Sequence, residues 1–193
     1  MTLIEKMKQR EQLLTREMLN DLFEYDESAG LLVYKPKPSD KNYHGWNAKH
    51  AGRAAGYKTD SGFIHVTIQT KEGSTRYYAH RIIFMMKYGY FPEQVNHKNS
   101  NRADNRIENL RAATITQIKT NTARPTKCKD GYRGVWFNSK WGKWRASIRV
   151  DGKTKFIGHY KTEELAALAY NASAVLHHGE FATLNEVPRQ QPV

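Results

Sequence analysis

Apolar residues recur at helical spacing twice near the start of the chain. Leu3, Ile4 and Met7 accompany the cap pattern Thr2-x-x-Glu5, and Met18, Leu19, Leu22 and Phe23 follow Thr15, which predicts two short amphipathic helices. Asp26-Glu27-Ser28-Ala29-Gly30 then reads as a turn and Leu31-Leu32-Val33-Tyr34 as a strand. The stretch 35–49, punctuated by Pro36, Pro38 and Gly45, reads as a loop. Residues 63–68 and 75–78 flank Lys71-Glu72-Gly73-Ser74 and predict a hairpin. From His80 the pattern turns helical and stops at Gly89, with Pro92 just beyond. After an asparagine-rich loop, Thr114-x-x-Gln117 is a capping box that opens a helix to about Asn121, and Pro125 marks its end.

Further on the period changes to two. Along 143–150, Trp144, Ala146, Ile148 and Val150 fall on one face and Lys143, Arg145, Ser147 and Arg149 on the other, the pattern of a half-buried strand with a basic outer face. Asp151-Gly152 is a two-residue hairpin signal leading to a strand near 154–160, and 132–137 supplies a first strand, so a three-stranded sheet is expected. Thr162, Glu163 and Glu164 open a helix whose small residues Ala166, Ala169, Ser173 and Ala174 allow close approach to the sheet, and Gly179 closes it.

Charge sharpens this picture. The 193 residues carry a formal net charge of +12, and residues 124–162 hold 11 basic against 2 acidic side chains. Tyr132, Trp136, Phe137, Trp141, Trp144, Phe156 and Tyr160 are interleaved with them, which marks a folded basic surface rather than a solvated charge run. Such a surface suits phosphates. No run of about 18 uncharged apolar residues is present, so no membrane span is expected, and the first residues lack the apolar stretch of a signal peptide. Cys128, the one cysteine, supports neither a disulfide framework nor a cysteine-built zinc site. An apolar content of 39% suggests two small cores rather than one large one.

The candidate chemistry lies between these regions. His80, Asn96, His97, Asn99, Asn101, Asp104, Asn105, Asn109 and Asn121 crowd into one short segment. Asn99, Asn101 and Asp104 are read first as turn residues, because their side chains bond nearby backbone. A histidine next to an oxygen ligand is also what metal-assisted phosphodiester hydrolysis needs.

The texts Ala79-His80-Arg81, Val95-Asn96-His97-Lys98-Asn99 and Asp104-Asn105-Arg106-Ile107-Glu108-Asn109-Leu110-Arg111, then Ala113-Thr114 and Gln117, resemble the HNH endonuclease family, a His-Me finger (ββα-metal) fold, and its phage and intron homing members in particular. The resemblance implies His97 as general base, Asn96 as a metal ligand, Asn109 as the orienting residue and His80 as a further catalytic residue, with one divalent ion, Mg²⁺ or Mn²⁺. Asn96 stands where many members have aspartate. Where the family places its second metal-binding asparagine this chain has Ile118, and Asn121, about one helical turn on, is the expected substitute ligand.

A second resemblance rests on Tyr132-Arg133-Gly134-Val135, Trp141-Gly142-Lys143-Trp144-Arg145-Ala146-Ser147-Ile148-Arg149, Ile157-Gly158 with Tyr160, Thr162 and Glu164, Ala166-Ala167, Ala169-Tyr170-Asn171, and Leu184-Asn185. These are similar to the Apetala-type ethylene-response-factor DNA-binding domain, whose sheet enters the DNA major groove. The likeness implies DNA contacts from Arg133, Trp141, Arg145 and Arg149, and phosphate contacts from Lys143 and Lys155. Plant members carry arginines where this chain has Trp136 and Asn138, and an Arg-x-Trp text where it has Thr154-Lys155-Phe156.

The expectation is therefore an α+β chain: an N-terminal α+β scaffold (1–78), an HNH module (79–123), a linker (124–130), a DNA-binding domain with a three-stranded antiparallel sheet on one helix (131–187) and a tail (188–193). The function implied is a site-specific homing endonuclease acting on double-stranded DNA, monomeric, in the cytoplasm of a bacterial host if phage-encoded. The alternatives are a catalytically degenerate DNA-binding protein and a basic RNA-binding protein.

Overall fold

The computed structural model describes the backbone of residues 3–38, 43–121 and 131–188 and the side chains of 5–38, 43–118 and 131–188. Thr2, the expected linker 124–130, the helix end at Pro125, the tail beyond Pro188 and the side chain of Asn121 lie outside the described residues. The fold is α+β, with antiparallel sheets throughout. It divides into two compact units, Met1–Ala113 and Thr114–Val193. Among the described residues no helix is long and apolar enough to cross a membrane.

In the first unit, helices α1 (Leu3–Glu11) and α2 (Arg16–Leu22) come where the apolar spacing puts them, and Thr15 Oγ1 caps α2 by accepting from Met18 N–H at 3.2 Å. Phe23 does not extend the helical stripe as expected. It starts strand β1 (Phe23–Asp26), which pairs in antiparallel register with β2 (Leu31–Tyr34), Phe23 opposite Tyr34. A second correction concerns the expected loop, which contains a helix, α3 (His44–His50), with no side-chain cap. Tertiary contacts hold it: Trp46 packs edge-on to Tyr34 with ring centroids 5.4 Å apart, and Asn47 Oδ1 accepts from Lys37 N–H at 2.8 Å. A helix this short draws its stability from such contacts rather than from propensity.

Strands β3 (Tyr57–Lys58), β4 (Ile64–Thr70) and β5 (Gly73–Tyr78) form a three-stranded sheet in that order, with β4–β5 the expected hairpin. Helix α4 (Ala79–Tyr88) follows at once and ends at Gly89, whose N–H bonds Met85 C=O. It is buried along most of its length, because Ala79, Ile82, Ile83, Phe84 and Met86 enter one core with Leu19, Phe23, Leu32, Val66, Val95 and Leu110. That core draws on residues from both sides of position 78. Arg81 on α4 is also buried and pairs with Glu11 at the end of α1, its Nη2 donating to Glu11 Oε2 at 2.8 Å and to Pro92 C=O at 2.8 Å. Strands β6 (Gln94–His97) and β7 (Leu110–Ala113) close the unit as an antiparallel pair.

The second unit opens with α5 (Ile115–Asn121). Its capping box is formed: Thr114 N–H donates to Gln117 Oε1 at 2.7 Å and Gln117 N–H to Thr114 Oγ1 at 3.1 Å. Strands β8 (Val135–Asn138), β9 (Lys143–Val150) and β10 (Lys153–Tyr160) form a sheet in which β9 is central, and α6 (Glu163–His178) packs across it. The Asp151-Gly152 turn has φ of 49° and 77°, the left-handed pair that a two-residue hairpin requires. Ala146, Ile148 and Val150 meet Ala166, Ala167, Tyr170 and Ala174, so small residues on α6 bring it close to the sheet. Gly134 makes that approach possible: a Cβ there would lie 2.4 Å from the Tyr170 ring and 2.5 Å from Ser147 C=O. The segment after α6 is fastened by amides. Asn185 Oδ1 accepts from Arg133 N–H at 2.7 Å, and Asn171 Oδ1 accepts from Asn185 N–H at 2.7 Å.

Candidate nuclease site and nucleic-acid interface

Strand alternation decides the geometry of the first site. On β6, Val95 and His97 are buried and Asn96 between them turns the other way. Asn96 meets its register partner Arg111, whose Nε donates to Asn96 Oδ1 at 2.9 Å. His97 turns inward, where Asn105 Oδ1 lies 3.0 Å from its Nε2. With an oxygen as acceptor, Nε2 carries the proton and Nδ1 keeps the lone pair. Asn105 is 1% exposed and His97 5%.

His80, at the first turn of α4, stands beside His97 with ring centroids 5.0 Å apart. Phe63 on the segment leading into β4 packs on both rings, 5.3 Å from His80 and 6.0 Å from His97, and the Arg102 guanidinium lies over Phe63 at 4.9 Å. Burial pushes the His97 pKa down, against the opposing effects of the Asn105 hydrogen bond and the Asp104 charge. His80 is held well below the ordinary histidine value by burial, then by His97, Arg81 and His65. Both imidazoles are thus neutral near pH 7, the form a proton acceptor needs.

The Asn109 side chain bonds backbone rather than His97. Its Oδ1 accepts from Asn99 N–H at 3.0 Å and its Nδ2 donates to Asp104 C=O at 2.7 Å, so it fastens the loop between β6 and β7. That loop is a chain of side-chain turns: Asn99 Oδ1 accepts from Asn101 N–H, Asn101 Oδ1 from Ala103 N–H and Asp104 Oδ1 from Arg106 N–H. The Asp104 carboxylate is further gripped by the Arg106 fork at 2.9 and 2.7 Å, which with Asn99 holds its pKa well below the usual carboxylate range.

The described donors do not suit a hard divalent cation as they stand. Asn96 offers one neutral oxygen and a guanidinium occupies it; Ile118 is hydrocarbon; and no group of three His, Cys, Asp or Glu side chains among the described residues is placed to share an ion. Sequence reasoning noticed Asn105 without giving it a role and gave none to Arg111 or Phe63. Asn105 and Arg111 lie within the quoted texts, and Arg111 was legible as the residue facing Asn96 once those strands are paired.

The second candidate surface is the sheet of the second unit. Arg145 on β9 lies opposite Trp136 on β8, with its guanidinium 5.2 Å from the Trp136 ring and 5.0 Å from the Phe156 ring on β10. Lys143 and Arg149 share this face by alternation, and Arg149 Nε donates to Gly152 C=O at 3.2 Å. Trp141 joins the same edge through His159, the register partner of Arg145, with rings 4.5 Å apart. Two expected DNA contacts sit elsewhere. Lys155 pairs in register with Ile148, a residue buried against α6, and lines a cleft with Val150, Leu176 and His177. Arg133 hydrogen-bonds the buried Tyr170 of α6.

Residues 77–118 match the model of the HNH endonuclease family. The match runs from Tyr77 in β5 to Ile118 in α5 and includes His80, Asn96, His97, Asn105, Asn109 and Arg111. The chain is also 34% identical over 70 residues to the AP2-like ethylene-responsive transcription factor TOE2 of Arabidopsis thaliana, a stretch that is 36% of this chain and 14% of that protein. Nucleases of the HNH family generally use a divalent metal. Together the HNH segment and this likeness point to a DNA endonuclease or DNA-binding function.

Proposed function

We propose that this protein is a site-specific DNA endonuclease of homing type, with His97 as the base that takes a proton from the attacking water and the second unit's sheet as the surface that docks on duplex DNA. The observation that carries the reading is the buried, neutral His97 whose Nε2 is fixed by Asn105, within a segment matching the HNH family. Fixing one ring nitrogen leaves Nδ1 as the basic atom and sets the ring plane. His80 packs on His97 with ring centroids 5.0 Å apart and is itself held neutral by burial and by its neighbour His97. Asn109 orients the loop that follows the base. Lys143, Arg145 and Arg149 neutralise phosphates, and Trp141 flanks them; Lys155 and Arg133 serve the second unit's helix side. Asn96, bonded to Arg111, and Ile118 do not suit a cation as they stand, and Asn121 is the residue this reading would use as a replacement ligand.

A second reading is favoured by one observation. The Arg111 guanidinium on Asn96, with Ile118 on α5, fits a chain that keeps the nuclease framework for DNA binding alone. One experiment separates the two. The DNA flanking the chain's own gene is incubated with the parent and with His97→Ala, in Mg²⁺, in Mn²⁺ and in chelator. The endonuclease reading expects parent cleavage and, in the variant, unchanged binding with a rate lower by about two to four orders of magnitude. A parent that binds this DNA and never nicks it under any of the three conditions leaves the DNA-binding reading.

A further inference from the structure

On the outer face of the β8–β9–β10 sheet, three large rings stand in water. Trp136 is 42% exposed, Phe156 54% and Trp141 57%. They belong to one surface: Trp136 and Phe156 flank the Arg145 guanidinium from either neighbouring strand, about two strand spacings (~10 Å) apart. Phe156 then meets the His159 ring at 5.0 Å, and His159 meets Trp141 at 4.5 Å. Arg145 lies down over the sheet, its Nε 3.4 Å from Ser147 Oγ, which explains why Ser147 on this nominally solvent-facing side is only 4% exposed. A ring–guanidinium–ring row is thus laid flat along a face that also carries Lys143 and Arg149.

We infer that this face binds single-stranded DNA by stacking its bases on Trp136, Phe156 and Trp141, an activity that rests on reading the sheet as a nucleic-acid surface and goes beyond duplex docking. In B-form DNA the ring faces of the bases are hidden in the stack and only their edges and methyl groups are offered in the major groove, where hydrogen-bonding side chains are the readers. Three exposed rings are poorly matched to edges and well matched to the faces of unpaired bases, each of which has a π surface whatever its sequence. Arg145 serves the same purpose, because a planar guanidinium stacks as well as attracting phosphate. Lys143 and Arg149 supply the cationic track for the backbone. Exposed aromatic rings set among cations have a solvation cost that this occupant relieves. For a protein that cuts DNA, the strand concerned is one opened or released at the target.

The test uses the full chain and fluorescence anisotropy at matched salt with four probes: a labelled single-stranded DNA of about 12 nucleotides, an abasic strand of equal length, the 12-mer as a duplex, and its RNA counterpart. The expected order is single-stranded DNA tightest, with the abasic strand weaker by roughly tenfold or more. Trp136→Ala with Phe156→Ala weakens single-strand binding by roughly ten- to a hundredfold and duplex binding by a clearly smaller factor. Trp136→Phe alone retains most of the affinity, which controls for folding, as does an unaltered circular-dichroism spectrum. A parent that prefers the duplex, binds the abasic strand equally or prefers RNA overturns the inference, as does an equal loss on both DNA forms in the double variant. Duplex preference leaves the docking proposal intact, whereas a parent that binds no DNA removes both.

Discussion

Replacing Asn109 with alanine tests whether the loop carrying the candidate site is held by amide side chains. The native carboxamide accepts from Asn99 N–H at 3.0 Å and donates to Asp104 C=O at 2.7 Å, and the residue is 6% exposed. Alanine strands one donor and one acceptor. Each buried polar group left without a partner costs about 1–3 kcal/mol. Asn99 lies at the solvent edge, where water replaces part of its lost bond, so the sum falls in the lower half of the combined range, about 2–4 kcal/mol. The loss is confined to the first unit, because the second has its own core. Hydrogen exchange read by mass spectrometry suits this case, since it resolves the units without assuming one cooperative transition. Peptides covering β6, the loop and β7 should exchange faster in Asn109→Ala, and peptides from β9 and α6 should not change. Glu108→Ala is the control: its side chain is 75% exposed, and such a substitution stays within about 0.5 kcal/mol. If the two variants protect β6 and β7 equally well, the amide clamp is not what holds the loop.

Two further outcomes are expected. His80 has a native pKa well below its unfolded value, so the unfolded chain alone gains a proton as pH falls below about 6.5; stability is full above that pH and declines towards the native pKa by up to about 1.4 kcal/mol per pH unit. Urea unfolding of the first unit between pH 7 and 5 should show a shallower decline in His80→Gln, and equal slopes would count against the buried neutral imidazole. Gly134→Ala should disrupt the second unit, since φ is 72° there and the new methyl would overlap the Tyr170 ring at 2.4 Å; thermal melting that leaves this unit within a degree or two of the parent would show that α6 does not press on β8.

Much of the framework is legible before any coordinates, and the reasons differ by element. Strand β9 announces itself because its alternation is strict and Asp151-Gly152 permits only a tight hairpin. The Thr114/Gln117 box and the Gly89 terminus are equally readable, because each satisfies backbone groups that a helix end leaves bare. Strand β1 is hidden because Phe23 falls at helical spacing behind Leu19 and Leu22, and only its pairing with Tyr34 draws it into a strand. Helix α3 is hidden for the opposite reason: it has no cap and contains Gly45, so nothing local signals it. At the site, residue types were legible and directions were not. Asn96 and His97 look like one cluster in the sequence, yet adjacent positions on a strand face opposite sides, and the pairing of β6 with β7 gives Asn96 to Arg111. In the second unit Lys155 looks equivalent to Lys143, but the regular register running back from the Asp151-Gly152 turn pairs it with Ile148 and so puts it on the helix side.

Several asparagines serve the backbone once each bond is traced. Asn99, Asn101 and Asn109 close turns or fasten a loop, and Asn171 and Asn185 fasten a terminal segment; their amides replace backbone hydrogen bonds that irregular chain cannot make for itself. Asn105 is different. Its carboxamide oxygen points at His97 in the interior, where His80, His97 and Asn105 are each no more than 5% exposed and Nδ1 of His80 has no hydrogen-bond partner among the described residues. Burying two imidazoles and an amide side by side is a poor way to build a core, since hydrocarbon of similar volume would fill the space without desolvating polar atoms. Turn-making does not require it either, because the loop already has its own side-chain bonds. A fold that stands on Ile82, Ile83, Val95 and Leu110 around this point has no structural need of the trio. What the trio does provide is a histidine of fixed orientation with its proton on one nitrogen and its lone pair on the other, the geometry that the proposed role of His97 as proton acceptor calls for.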